Sequence, residues 1–186
     1  MDVQKYDAYA SFPIYGYTGK VISPKFKVYN SDEDLLSYKK YTFAAPKNKK
    51  MGWYDVEITF KDEFKNDFIN PSFTASYGIG PKMPVIKKVT GGKKSLTVVW
   101  KKLTKSQLKN VDVYVIDIAK DKNLMKAHKT YKLKSKDIKA GKKVLKKLSK
   151  GKKYYVQMYA LKKIKQNGTT FQMPSELTKV KSAKTK

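Results

Sequence analysis

Hydrophobic and polar positions alternate in short runs along most of the chain. Ser95-Leu-Thr-Val-Val-Trp100, Val111-Asp-Val-Tyr-Val-Ile-Asp-Ile118, Lys143-Val-Leu-Lys-Lys-Leu148 and Tyr154-Tyr-Val-Gln-Met-Tyr-Ala160 each alternate in this way. That is the period of a strand with one face in a core. Earlier in the chain Lys25-Phe-Lys-Val-Tyr29, Tyr38-Lys-Lys-Tyr-Thr-Phe43, Trp53-Tyr-Asp-Val-Glu-Ile-Thr-Phe60 and Ser72-Phe-Thr-Ala-Ser-Tyr77 are rich in β-branched and aromatic residues and partly alternate, which predicts strands as well. Turn formers separate the runs: Asn30-Ser-Asp-Glu-Asp34, Pro46-Lys-Asn-Lys-Lys50, Asn70-Pro71, Gly91-Gly92, Gly151 and Asn167-Gly168. No stretch carries a helical period for more than a turn or two. The pattern predicts an all-β protein of two tandem immunoglobulin-like β-sandwiches.

Charge divides the chain. Residues 1–80 hold 11 lysines against 10 acids and most of the aromatic rings, whereas residues 81–186 hold 31 lysines against 5 acids. The shift falls at Ile79-Gly-Pro-Lys-Met-Pro84, where two prolines restrict the backbone and remove two donors, as a short stiff linker requires. Domains are therefore expected at 1–80 and 81–186.

Residues 84–186 resemble a fibronectin type III domain of the lysine-rich kind found in secreted proteins of Gram-positive bacteria. Pro84 and Ile86 open the first strand, Leu96, Val98 and Trp100 form the inward set of the second, and Tyr114 and Ile116 fit the third. Leu148, Gly151 and Tyr154 match the family's corner motif, with leucine six residues before tyrosine; Pro174-Ser-Glu-Leu177 and Val180 through Thr185 match its last strand. The resemblance implies structural roles for Trp100, Leu148 and Tyr154. An Arg-Gly-Asp motif is absent, so integrin binding is not implied. Residues 12–82 are similar to immunoglobulin-like surface repeats that begin with Tyr-Thr-Gly-Lys, here Tyr17-Thr-Gly-Lys20, with Asn66 where these repeats usually have glycine.

The absence of cysteine removes disulfides, thiolate metal sites and cysteine nucleophiles, and an exported chain without disulfides points to bacteria. No apolar run approaches the roughly 18 residues of a membrane helix, and no basic-then-apolar leader opens the chain. The chain reads as a piece of a longer exported protein whose signal lies outside it. All 42 basic residues are lysine, without the planar fork by which arginine reads guanine or carboxylate bidentately, so sequence-specific nucleic-acid recognition is not expected. A single histidine, His128, in a lysine-rich stretch makes neither a triad nor a metal site and reads as a solvated residue. No catalytic residue, metal ligand or cofactor is expected, and the chain is read as a non-enzyme.

Two candidate contacts remain. Lys142, Lys143, Lys146, Lys147, Lys150, Lys152 and Lys153 are candidates for a polyanion, because so large an excess of one sign recruits counter-charged polymers. The rival is a solubilising surface with protected sheet edges. Tyr6 and Tyr9 are candidates for an aromatic platform for a glycan or host protein, since alternation turns Tyr15 and Tyr17 inward. The functional expectation is a non-catalytic spacer and adhesion segment of a secreted or cell-surface bacterial protein. Its alternative is a binding module for teichoic acid, acidic glycan or nucleic acid, or for a glycan or host protein. Clustering of the lysines discriminates between them.

Overall fold

A computed structural model describes residues 5–44, 46–126 and 128–186. The polypeptide divides into two compact units, Met1–Ile79 and Gly80–Lys186, and both are built from strands.

The first unit contains β1 (Ala8–Ala10), β2 (Ile14–Gly16), β3 (Val28–Asn30), β4 (Tyr41–Phe43), β5 (Gly52–Phe60) and β6 (Ser72–Gly80), with one 3-10 turn at Lys65–Asp67. β1 pairs antiparallel with β3, and the other four form a sheet in the order β2-β6-β5-β4. Alternation in β5 sends Val56, Ile58 and Phe60 into the core and leaves Asp55, Glu57 and Thr59 outside. Glu57 and Asp55 accept hydrogen bonds from Ser72 (2.9 Å) and Ser76 (2.6 Å) on β6, so the polar face is paired across strands. Phe26, Val28, Tyr41, Phe68, Ala75, Tyr77 and Ile79 complete this core, in which Phe60 and Phe68 stack at 3.7 Å.

The second unit contains β7 (Ile86–Gly92), β8 (Ser95–Trp100), α1 (Lys105–Leu108), β9 (Val113–Ala119), β10 (Lys129–Leu133), α2 (Ser135–Ala140), β11 (Lys142–Leu145), β12 (Lys153–Gln166), β13 (Thr169–Pro174) and β14 (Lys181–Lys184). One sheet runs β11-β8-β7; the other runs β10-β9-β12-β13, with β14 also pairing β12. The two sheets, of three and five strands, form a β-sandwich. The alternating runs supply its core: Leu96, Val98 and Trp100 from β8, Tyr114, Ile116 and Ile118 from β9, and Tyr154, Val156, Met158 and Ala160 from β12.

The last strand is broken at Pro174, which has no N–H to donate. Two hydroxyls bridge the gap. Ser175 Oγ accepts from the Ala160 N–H (2.9 Å) and Thr178 Oγ1 from the Met158 N–H (3.0 Å), while their own N–H groups donate to the carbonyls of Ala160 and Met158. Buried serine and threonine thus continue the ladder, and no strand donor is lost. Trp100 is buried, and its Nε1–H donates to the Ile138 carbonyl at 3.2 Å. The Tyr114 ring meets Trp100 edge-on at 6.1 Å. Its hydroxyl is buried without a hydrogen-bond partner, and desolvation pushes the phenol up to about 12.

Three sequence expectations are corrected. Ile79 and Gly80 are not linker: Ile79 pairs with Gly52 and both end β6, because the apolar alternation of that strand continues to Ile79. Gly91-Gly92 is not the first hairpin turn, which lies at Lys93 and Lys94, with Lys94 left-handed at φ 46°. Gly91 sits within β7 because a Cβ there would overlap the Lys184 carbonyl; the glycine serves a close backbone approach. The predicted run Lys143–Leu148 is strand only over Lys142–Leu145. Beyond it Lys147 turns left-handed at φ 60° and lets Leu148 enter the core from the corner.

Candidate polyanion-binding surface

One end of the second sandwich is assembled from four chain segments, three of which hydrogen-bond to each other. The β7–β8 turn meets the C-terminus, with the Lys94 N–H donating to the Lys186 carbonyl (3.0 Å) and the Lys186 N–H to Gly92 (2.9 Å). The corner between β11 and β12 joins them: the Leu148 N–H donates to the Lys94 carbonyl (3.0 Å) and the Thr185 N–H to Lys152 (3.0 Å). Thr185 is buried, and its hydroxyl donates to the Ser149 carbonyl at 2.6 Å while accepting from the Lys152 N–H at 3.1 Å. Register brings the β9–β10 turn to the same end, since Ala119 at the close of β9 lies opposite Tyr155 near the start of β12.

Tyr154 holds this corner together. It is buried, and its hydroxyl accepts the Ser149 N–H at 3.1 Å. Burial acts to raise the phenol's pKa, but this hydrogen bond and the charges of Lys120 and Lys129 outweigh it and hold the group below the ordinary tyrosine value. The Leu148 side chain is buried beside it in the same core.

The surface of that end is lysine from every segment. Lys93 and Lys94 come from the β7–β8 turn, Lys146, Lys147, Lys150, Lys152 and Lys153 from the corner, Lys184 and Lys186 from the C-terminus, and Lys120, Lys122 and Lys126 from the β9–β10 turn; all are exposed. Lys153 and Lys184 stand directly opposite each other across the β12–β14 pair, and like charges so placed destabilise a sheet. The Lys153 ammonium lies over the Tyr155 ring, 5.2 Å from its centroid.

The acid among these turns, Asp121, is committed to its own loop. Its carboxylate accepts from the N–H groups of Lys126 and Met125, and the Lys126 bond is the largest of the effects that hold it below the usual carboxylate range. Among the described residues none of these lysines has an ion-pair partner. Elsewhere in the unit, acids are paired: Lys143 with Asp137 (2.9 Å) and Lys162 with Asp112 (2.8 Å).

The structure thus separates the seven lysines singled out by sequence. Lys146, Lys147, Lys150, Lys152 and Lys153 share this end. Lys142 lies on the outer face of the smaller sheet, opposite Val99, and Lys143 is drawn to Asp137. Sequence reasoning missed Lys93, Lys94, Lys120, Lys122, Lys126, Lys184 and Lys186, which are remote along the chain and meet only through strand register.

His128 is exposed, as a solvated residue would be. It has an acid beside it, its Nε2 lying 3.2 Å from Asp117 Oδ1, which also accepts from the Thr130 hydroxyl at 2.6 Å. Register sets Thr130 opposite Asp117 and so closes an 11-residue gap in sequence. Among the described residues no group of three or more metal-ligating side chains converges, and no helix is long and apolar enough to cross a membrane.

In the first unit Tyr9 is 48% exposed and stacks on Tyr29 at 5.4 Å. Tyr6 is tied to the Phe68 segment, its N–H donating to Asp67 (2.9 Å) and its carbonyl accepting from Ile69 (2.8 Å), and it packs against the core; it offers no free platform. Tyr15 and Tyr17 also pack against that core.

No family model matches the chain and no curated protein matches it. Among solved structures, the crystal structure of the chicken CNTN1 FN1–FN3 domains is similar over 88% of this chain, at 15% identity and a TM-score of 0.40. The chain spans about half the length of that one, covering 51% of it.

Proposed function

We propose that the chain is a non-catalytic structural and adhesion segment of a secreted or cell-surface bacterial protein, and that its second sandwich attaches to a linear polyanion through the lysine end. One observation carries the reading: four segments converge to present lysines that no ion pair offsets among the described residues, around an acid spent on its own backbone. Opposed lysines such as Lys153 and Lys184 repel in the free protein, and a bound polymer of the opposite sign relieves that repulsion. Screening acts over about 8 Å at physiological salt, so charges on neighbouring strands, about 5 Å apart, act together. Teichoic acid, acidic glycan and nucleic acid share the required chemistry. Without arginine the contact selects charge density and not base sequence.

The test compares two clusters on the full chain. Lys146, Lys147, Lys150 and Lys152 are replaced by glutamine together, and in a second variant Lys101, Lys102, Lys105 and Lys109, at the opposite end of the same sandwich, are replaced instead. Binding to teichoic acid, heparin and duplex DNA is followed across a salt series. The first variant is expected to lose at least about tenfold in affinity and to flatten the log–log salt slope for DNA by about 0.9 per contact removed. The second is expected to change little. Equal losses from both sets would make the lysines a diffuse solubilising coat and leave the spacer role alone.

A further inference from the structure

The first unit carries a groove of about 840 Å³ between the segment 25–27 and the edge of β4, within the size range of ligand clefts. Its floor is apolar and belongs to the core: Phe26 and Tyr41 are buried, and the Tyr41 hydroxyl crosses the floor to donate to the Phe26 carbonyl at 3.3 Å. Its walls are apolar yet open to solvent, with Tyr38 76%, Leu35 60% and Phe43 36% exposed. Leu36, Ser37, Thr42, Lys25 and Lys27 complete the lining, and among the described residues no acid joins them.

β4 is the end strand of its sheet. The Lys61 N–H donates to the Lys40 carbonyl at 3.0 Å, and Tyr41 lies opposite Phe60 in the register that follows. Lys40–Lys61 is therefore a hydrogen-bonded pair. By the alternation of an antiparallel ladder, Thr42–Thr59 is the next one. Tyr41 and Phe43 consequently turn their N–H and C=O groups away from β5, to the open edge that borders the groove. An uncovered edge of this kind is a template for another strand, and here an apolar floor lies beside it.

We infer that this groove receives an extended segment of a partner polypeptide as an added strand on β4, with alternate apolar side chains over Phe26 and Tyr41 and acidic side chains toward Lys25 and Lys27. Each feature selects part of the occupant. Backbone groups two residues apart match the ladder of a strand. The apolar floor takes every second side chain. Two lysines without a lining acid select carboxylates between them.

The probe is an acetylated, amidated seven-residue peptide of alternating valine and glutamate, added to the isotope-labelled full chain and followed by amide chemical shifts. Because such a peptide can also meet the lysine end of the second sandwich, location decides: saturable shifts are expected at Leu35, Tyr38, Tyr41 and Phe43, and they persist when Lys146, Lys147, Lys150 and Lys152 are glutamine. N-methylation of alternate peptide bonds on the edge-facing side is expected to weaken binding at least about fivefold, the worth of one hydrogen bond. Lysine in place of glutamate weakens it similarly. Phe43→Pro, which deletes an outward N–H without touching the β5 ladder, is expected to abolish it. Tyr38→Ser, at an exposed position, weakens it with the fold intact. The inference is overturned if N-methylation has no effect, if the shifts fall only in the second sandwich, if an oligouronate competes equally, or if the free chain already self-associates through the same residues.

Discussion

The two sandwiches solve one packing problem with opposite materials. In the first, a short pair of strands faces a four-stranded sheet, and aromatic rings fill the space: Phe26, Tyr41, Phe60, Phe68 and Tyr77 make up half of its buried core. Large rings on few strands leave the layers incompletely covered, and Phe26 and Tyr41 line an open groove. In the second, longer alternating strands close around a mainly aliphatic core in which Trp100, Tyr114 and Tyr154 are the rings, and backbone approaches as tight as Gly91 against Lys184 occur. What distinguishes it is outside, where lysines gather. The recognition proposed for the first unit is thus a matter of exposed core and free edge; that proposed for the second, of charge carried on a closed scaffold.

The sharpest way to break this comparison is to empty each core in turn. Trp100→Ala is expected to destabilise the second unit by about 3–5 kcal/mol, read by chemical denaturation followed through the backbone amide signals of β8, β9 and β12. Phe26→Ala, at the floor of an open groove, is expected to cost about 2–3 kcal/mol, because no closed cavity is left behind. Equal costs would mean that the first core is as closed as the second.

Next in size are the hydroxyls that bridge the broken last strand. Thr178→Val leaves the Met158 N–H buried and unsatisfied, for an expected loss of about 1–3 kcal/mol. A change within experimental error would mean that water takes the hydroxyl's place.

The smallest expected effect is a gain. Tyr114→Phe removes a buried hydroxyl without a partner, and is expected to be neutral or to stabilise by about 1 kcal/mol at neutral pH. It also changes the alkaline limb. The folded-state value of about 12 lies above the unfolded value of about 10, so the unfolded chain gives up its proton first. The Tyr114 contribution is therefore intact below about pH 10 and is lost as pH rises through 12. Denaturation midpoints measured from pH 9 to 12 are expected to fall less steeply for Tyr114→Phe; parallel curves would sink this account.

Local pattern determined a good deal. Period-two alternation in β5, β8, β9 and β12 showed which side chains are inward, because in a half-buried strand burial and polarity share one period. The absence of arginine and cysteine limited the chemistry from composition alone. Sequence also located the charge excess in the second half. It did not show that Lys93, Lys122, Lys150 and Lys186 share one end, that Asp117 stands beside His128, or that Gly91 serves an approach and not a turn. Those facts depend on register between strands far apart in the chain, which no local window contains. The free edge of β4 has the same origin: a strand's sequence records that it pairs, whereas tertiary structure decides on which side it is left unpaired.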